Sequence, residues 1–191
     1  MRVVGGTLRG RRLVAPRGIE TRPTSDRVRE SLFSILEARY GCVESSTVLD
    51  LFAGTGALGI EALSRGAARA VFVERDERAL RAIRENLSAL GIADRAEVVR
   101  ADALRLAPLR LACQPFSLLL ADPPYRIEPR DVVRAIADLG EGGCLRDGAV
   151  IAYELSGAQR VEWPASFDEA VERTYGSTRL VIARWKGSSN G

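Results

Sequence analysis

The sequence predicts an α/β fold built on a mostly parallel sheet, and three features of the chain predict it. Short apolar strands alternate with helical segments from residue 47 onward, a glycine turn joins the first strand to the first helix, and two strands without an intervening helix come last. Candidate strands are residues 47–52, 70–74, 96–101, 116–122 and 148–154, while 57–65, 77–90 and 129–139 repeat apolar residues at helical spacing. Strands that alternate with helices are joined by right-handed crossovers, which set them parallel and cover both faces of the sheet. Residues 169–175 and 178–185 flank Tyr175-Gly176-Ser177-Thr178 and read instead as a terminal antiparallel hairpin.

Ahead of the sheet the pattern is different. Alternation in residues 2–4 and 11–14, across a glycine-rich stretch, suggests a short β-hairpin or two edge strands. Thr21-Arg22-Pro23 reads as extended, because a proline disfavours helix at the residue before it. Thr24 or Ser25 then caps a helix in which Val28, Leu32, Ile35, Leu36 and Arg39 or Tyr40 recur at helical spacing. The chain accordingly divides into a basic hairpin-and-helix extension over 1–40, the main domain over 41–186 and a polar, disordered tail over 187–191.

Composition narrows the chemistry. With 191 residues and 46% hydrophobic content, the chain has ample material for one core. No apolar run approaches the ~20 residues of a membrane span. The beginning, Met1-Arg2-Val3-Val4-Gly5-Gly6, lacks the apolar segment and small-residue cleavage site of a secretory signal, so a cytoplasmic location is expected. Cys42, Cys113 and Cys144 are far apart and free of CxxC spacing, which suggests neither a disulfide framework nor a zinc cluster. The chain has no histidine, which removes Ser-His and Cys-His triads, imidazole bases and most metal sites, so no metal is expected.

The net charge of +3 is unevenly spread. Residues 1–30 hold eight arginines against three acids, a net +5, and the remainder holds twenty basic against twenty-two acidic residues, a net −2. A preference for arginine over lysine accounts for the single lysine, Lys186, but not for this asymmetry. A basic arm on a near-neutral body is the footprint of a phosphate-backbone partner, and Arg9, Arg11, Arg12 and Arg22 are its candidate contacts.

Val48-Leu49-Asp50-Leu51-Phe52-Ala53-Gly54-Thr55-Gly56-Ala57-Leu58-Gly59 is a strand, a glycine turn and a helix start. Gly54-x-Gly56-x-x-Gly59 taken alone fits a dinucleotide fingerprint, with Glu74 as its ribose-binding acid. Asp50 decides against that ligand, because a carboxylate at this turn would repel a pyrophosphate. S-adenosylmethionine carries a sulfonium, an ammonium and no phosphate, so the same acid suits its amino-acid end. Glu74 then accepts from the ribose hydroxyls, Asp102 binds the adenine amino group with Ala103 beside it, and Phe52, Ala53, Gly54 and Gly56 form the turn against the ligand. Three positions keep a second reading: Asp50 as an orienter of backbone amides, Asp102 as a helix cap, and Arg75 as either an adenine-stacking group or a solvated helix-start residue.

The strand 116–121 delivers Asp122-Pro123-Pro124-Tyr125 to the same edge of the sheet. Two prolines stiffen the backbone and withdraw two amide donors, which leaves carbonyl acceptors. The amino group of an aromatic base is a poor nucleophile because its lone pair is delocalised into the ring. Asp122 and the Pro123 carbonyl can each accept one of its N–H bonds and aim the nitrogen at a sulfonium methyl, and Tyr125 offers a face for the base. Carbon-5 methylation of cytosine needs a cysteine nucleophile, and none of the three cysteines has that context.

Arg2-Val3-Val4-Gly5-Gly6, Gly10-Arg11-Arg12-Leu13, Thr21-Arg22-Pro23-Thr24-Ser25-Asp26-Arg27-Val28-Arg29-Glu30-Ser31-Leu32-Phe33, Leu58 to Ala67 and Tyr175-Gly176-Ser177-Thr178, together with the motifs above, resemble the bacterial RsmD family of 16S ribosomal RNA guanine-N2 methyltransferases. The resemblance implies a class I S-adenosylmethionine-dependent methyltransferase, a Rossmann-like fold with a seven-stranded sheet. It implies a segment from Thr24 through Arg27 to Phe33 that closes over the methionine end of the cofactor, and arginines that hold ribosomal RNA of an assembling small subunit, shared with ribosomal proteins. A monomer is expected. Two other readings compete: an adenine-N6 methyltransferase on DNA, for which the short chain has little room for a target-recognition domain, and a non-catalytic RNA-binding assembly factor. If the arm holds phosphates, replacing Arg11 and Arg12 together by alanine should weaken RNA binding more at low salt than at high salt. The slope of log K against log[salt] should become shallower by about 1 to 2, measured by filter binding across a salt series, and an unchanged slope would count against the arm.

Overall fold

The computed structural model describes residues 1–15, 26–106, 111 and 115–187, with backbone only at Glu169 and Ala170. Seven strands form one sheet: β1 (Thr47–Leu51), β2 (Arg69–Glu74), β3 (Ala96–Arg100), β4 (Phe116–Ala121), β5 (Leu145–Ser156), β6 (Phe167–Tyr175) and β7 (Thr178–Trp185). Their order is β3-β2-β1-β4-β5-β7-β6. β1 to β5 pair in parallel, and β7 runs antiparallel to both β5 and β6. From β1 the chain steps outward to β3 and then returns to β4 on the other side. The carboxyl ends of β1 and β4 therefore flank the switch point where an open α/β sheet leaves a crevice.

The strands read as near-continuous apolar runs because both faces are covered. Val48, Phe72 and Leu118 pack with Ile60, Ile83 and Leu87 on one face. Leu49, Leu51, Val71 and Leu119 pack with Val132, Ile136 and Leu139 on the other. Four helices supply the covers: α1 (Asp26–Ile35), α2 (Ala57–Ser64), α3 (Glu77–Leu90) and α4 (Pro129–Glu141). α3 begins where Asp76 accepts the N–H groups of Arg78 and Ala79 and ends at Gly91 in the left-handed region. α4 opens on Pro129, whose missing N–H is no loss in a first turn.

Two expectations for the N-terminal segment change. The hairpin over 2–4 and 11–14 is present only in minimal form, as one antiparallel bridge, Arg2 to Arg12, flanked by Val3 N–H to the Arg11 carbonyl (2.9 Å), Gly10 N–H to the Val3 carbonyl (2.9 Å) and Leu13 N–H to the Met1 carbonyl (3.1 Å). Its next backbone donors go to α2 and not to a strand ladder: Val4 N–H to Glu61 (2.8 Å), Thr7 N–H to the Ser64 carbonyl (2.8 Å) and Leu8 N–H to Ser64 Oγ (2.9 Å). Gly5 and Gly6 permit this contact, since a Cβ would stand 2.1 Å from Arg65 Nη2 and 2.0 Å from the Ser64 carbonyl oxygen. The helix after it continues past Ile35 as a π-helical turn, Leu36–Tyr40. Thr21 to Ser25, with the expected extended stretch and cap, lie outside the described residues. Val3, Leu13, Leu32, Phe33 and Leu36 belong to the same core as Val48 and Leu118, so the extension is packed into the body.

Gly59 shows most directly how closely α2 packs on the sheet. A Cβ there would meet the Phe72 ring at 2.4 Å and Asp50 Oδ2 at 3.0 Å. Gly59→Ala should destabilise the fold by about 1–3 kcal/mol through overpacking between α2 and β2, measured by urea denaturation; an unchanged midpoint would contradict this account.

Candidate active site

The turn between β1 and α2 is wound by three residues in the left-handed region: Phe52 (φ 61°), Gly54 (φ 55°) and Gly56 (φ 78°). Phe52 holds this conformation at a cost of about 1–2 kcal/mol for a side-chain-bearing residue. β1 therefore ends at Leu51, one residue before the expected boundary. The turn is pinned by Ala53 N–H to the Val73 carbonyl (3.0 Å), by Gly56 N–H to the Ala53 carbonyl (2.7 Å), and by Asn86 Nδ2 to the Thr55 carbonyl (3.1 Å).

A cavity of about 760 Å³ opens at this edge of the sheet. Asp50, Glu74, Asp102 and Asp122, from the ends of β1, β2, β3 and β4, all line it. Asp50 is buried, and its Oδ2 accepts the Gly59 N–H at 2.8 Å. Burial drives its pKa up to about 8, against the lowering effect of the Gly59 N–H and with help from the charges of Asp122 and Glu74. Glu74 accepts three backbone N–H groups, from Gly54 (2.9 Å), Arg75 (2.7 Å) and Asp76 (2.8 Å), and so ties the glycine turn to the start of α3. Asp102 caps the helical turn Ala103–Arg105 through Leu104 N–H (3.1 Å) and pairs with Arg75 at 3.4 Å. The second readings of Asp50 and Asp102 thus describe contacts these residues make within the chain, while both still face the cavity. Arg75 is exposed and bridges the ends of β2 and β3.

Asp122, Pro123, Pro124 and Tyr125 form a continuous wall of the same cavity. The Pro124 carbonyl accepts Ile127 N–H (2.9 Å), which turns the chain. Tyr125 is 45% exposed, open enough to receive a flat ligand. Gln159 fastens the loop from behind: its Nε2 donates to the carbonyls of Tyr125 and Ile127, both at 3.4 Å, and its Oε1 accepts Ser156 N–H at 3.1 Å. Tyr153, beside Ala121 in the register, is a buried phenol raised in pKa by burial and by the negative charge of Asp122.

Phe52, Ala53, Gly54 and Ala103 line the cavity, as do Asp50, Glu74, Arg75 and Asp102. Gly56 does not; it turns the loop, with Phe72, Ile60 and Ile83 within 3.4 Å of where a Cβ would stand. Phe33 is fully buried in the core with the Arg65 guanidinium 5.2 Å from its ring centre, and Arg27 is exposed; neither is a lining residue, because the inward face of α1 presents Arg29 to the cavity. Thr24 and Arg22 lie outside the described residues. Arg9, Arg11 and Arg12 are exposed, Arg11 donating to the Ala89 carbonyl at 3.1 Å. Met1, Arg29 and Asp76 are lining residues that the motifs did not single out. Arg29 had a legible signal: it sits on the same helical stripe as Leu32, Phe33 and Leu36, where a charge is out of place.

A sheet in the order 3-2-1-4-5-7-6, with the last strand inserted antiparallel and the crevice at the β1/β4 edge, is the fold of the class I S-adenosylmethionine-dependent methyltransferases. The chain belongs to the family described as Conserved hypothetical protein 95, whose model matches residues 1–184, and the resemblance to the RsmD family holds. YlbH of Bacillus subtilis is 36% identical over 191 residues, which cover 98% of this chain and 100% of that one. Ribosomal RNA small subunit methyltransferase D of Escherichia coli K12 is 39% identical over 155 residues, 81% of this chain and 74% of that one. The solved structure of yhhF from Escherichia coli superposes with a TM-score of 0.79 at 33% identity, covering 97% of this chain and 98% of that one.

The raised pKa of Asp50 has a consequence for stability. An unfolded carboxylate titrates near 4, so between about pH 4 and 8 the folded chain keeps a proton that the unfolded chain has released. This group's contribution to stability is therefore greatest at acid pH and falls as pH rises to about 8. Asp50→Asn, neutral in both states and still able to accept the Gly59 N–H, should gain on the wild type by up to about 1.4 kcal/mol per pH unit across that window. Urea unfolding at pH 5 and pH 8 measures it, and a pH-independent difference would rule it out.

Proposed function

We propose that this chain transfers a methyl group from S-adenosylmethionine to the exocyclic N2 of a guanine in 16S ribosomal RNA of an assembling small subunit, in the cytoplasm. One observation carries the reading: Asp122-Pro123-Pro124-Tyr125 and the three acids at the ends of β1, β2 and β3 wall a single cavity. The relative named Ribosomal RNA small subunit methyltransferase D supports the choice of RNA over DNA.

S-adenosylmethionine supplies an electrophilic methyl on a sulfonium. Glu74 would take the ribose hydroxyls, Asp102 the adenine amino group, and Asp50 would face the amino-acid end. The guanine stacks on Tyr125. Asp122 and the Pro123 carbonyl accept the two N2–H bonds, a geometry that turns the nitrogen lone pair toward the methyl without prior deprotonation. The Pro123 carbonyl is suited to this because, among the described residues, no hydrogen bond within the chain takes it, whereas Pro124 is already bonded to Ile127. As the N–C bond formed, the bond from the methyl to sulfur would break with its electron pair returning to sulfur, S-adenosylhomocysteine would be released, and the surplus proton would leave along the hydrogen bond to Asp122. The exposed Arg9, Arg11 and Arg12, with Arg22, hold RNA phosphates outside the cavity.

Incubation with methyl-labelled cofactor and small-subunit particles, followed by nucleoside mass spectrometry, should yield N2-methylguanosine. Asp122→Ala should lower the rate by about 100-fold or more with the fold retained. Label found only in DNA, or full transfer by the variant, would overturn the reading.

A further inference from the structure

Arg29 is a fully buried arginine on α1, and it lines the cavity. Its Nη2 donates to the Arg2 carbonyl at 2.7 Å and to Asp26 at 2.8 Å. Its Nε stands 3.7 Å from Glu61, too far for a hydrogen bond. Neither Nε nor Nη1 has a hydrogen-bond partner among the described residues. Glu61 is also buried and is engaged elsewhere, by Arg65 Nε and by Val4 N–H, each at 2.8 Å. Arg29 therefore carries buried, unpartnered donors on Nε and Nη1 and lines a cavity whose other buried ionisable residue is Asp50. A buried donor left unpaired costs about 1–3 kcal/mol, and such groups in folded proteins mark the place of a missing partner.

The position of Arg29 says which partner. Asp50 is tied to α2 through Gly59, and Arg29 is paired to the same helix through Glu61. Glu74 and Asp102 lie progressively farther off, at the ends of β2 and β3. A ligand laid along these strand ends therefore meets a buried carboxyl and a buried guanidinium at its β1 end; an ammonium arriving beside Asp50 favours its ionised form, so the two groups together match a zwitterion.

We infer that Arg29 is the anion-binding half of an amino-acid site: its Nη1 takes the α-carboxylate of the methyl donor while Asp50 faces the ammonium. The inference rests on the cofactor reading above. The Arg2 carbonyl and Asp26 hold the guanidinium in place, so the N-terminal arm positions a cofactor-binding group.

Isothermal titration calorimetry with two ligands tests it: S-adenosylhomocysteine, and S-adenosyl-3-thiopropylamine, which keeps the amine and lacks the carboxylate. The wild-type protein should bind the first roughly 10- to 100-fold more tightly. Arg29→Met should lose that factor on S-adenosylhomocysteine and bind the amine as the wild type does. Arg29→Lys, which keeps the buried charge, is the variant to use if methionine compromises folding, and it should reduce the preference. Equal wild-type affinity for the two ligands overturns the proposal and leaves the methyl-donor reading intact. An equal loss on both ligands in Arg29→Met, or an undiminished preference in Arg29→Lys, also overturns it. Binding of neither ligand by the wild type removes the methyl-donor reading and this inference together.

Discussion

The contact on which the rest of the site depends is the one between the Asp50 carboxylate and the Gly59 N–H. It joins the last turn of β1 to the first turn of α2 and sets the span that the intervening residues must cross. That span is short, so the backbone winds through three left-handed residues, including Phe52. Only glycine at 59 allows it, because the space for a Cβ is already filled by Phe72 and by Asp50 itself. The cavity floor follows from this geometry: the same contact that shortens the turn leaves Asp50 buried and facing the ligand space.

Glu74 does for the neighbouring strand what Asp50 does for β1. Its carboxylate gathers three backbone N–H groups from the glycine turn and from the start of α3. A carboxylate offers about four acceptor directions, so most of this one is committed to holding the turn. The ligand hydroxyl proposed to bind at Glu74 would join an arrangement that the protein has already organised, with little reordering on binding. Asp102 is likewise held, by Leu104 N–H and Arg75.

The N-terminal arm belongs to this site as much as the sheet does. Glu61, Ser64 and Asn86, all buried on α2 and α3, find partners in the arm, at Val4, Leu8 and Val14. Removing the arm would take a hydrogen-bond partner from each of these buried groups. The arm also supplies the Arg2 carbonyl that orients Arg29 and places Met1 on the cavity wall. The segment that presents exposed arginines outward therefore contacts the ligand cavity inward, through the same few residues.

Much of this is legible in the chain itself. The alternation of strands and helices, the turn at Gly54 and Gly56, the acids at three strand ends and the Asp122 tetrad are local patterns of period and spacing, and a fold that buries both sheet faces leaves them one consistent arrangement. The boundaries of β1 and β4 move by a residue because Phe52 and Asp122 are taken by the turns that follow. Tertiary structure alone decides the rest. It determines that Phe33 is core while Arg29 reaches the cavity, that Glu74 is occupied by backbone amides, and that the arm is docked without a strand ladder. These outcomes depend on partners 27, 57 and 72 residues apart, as in Arg29 with Arg2, Val4 with Glu61 and Val14 with Asn86. A periodic pattern carries the face a residue occupies, and the partner waiting on that face is set only when the helices have packed.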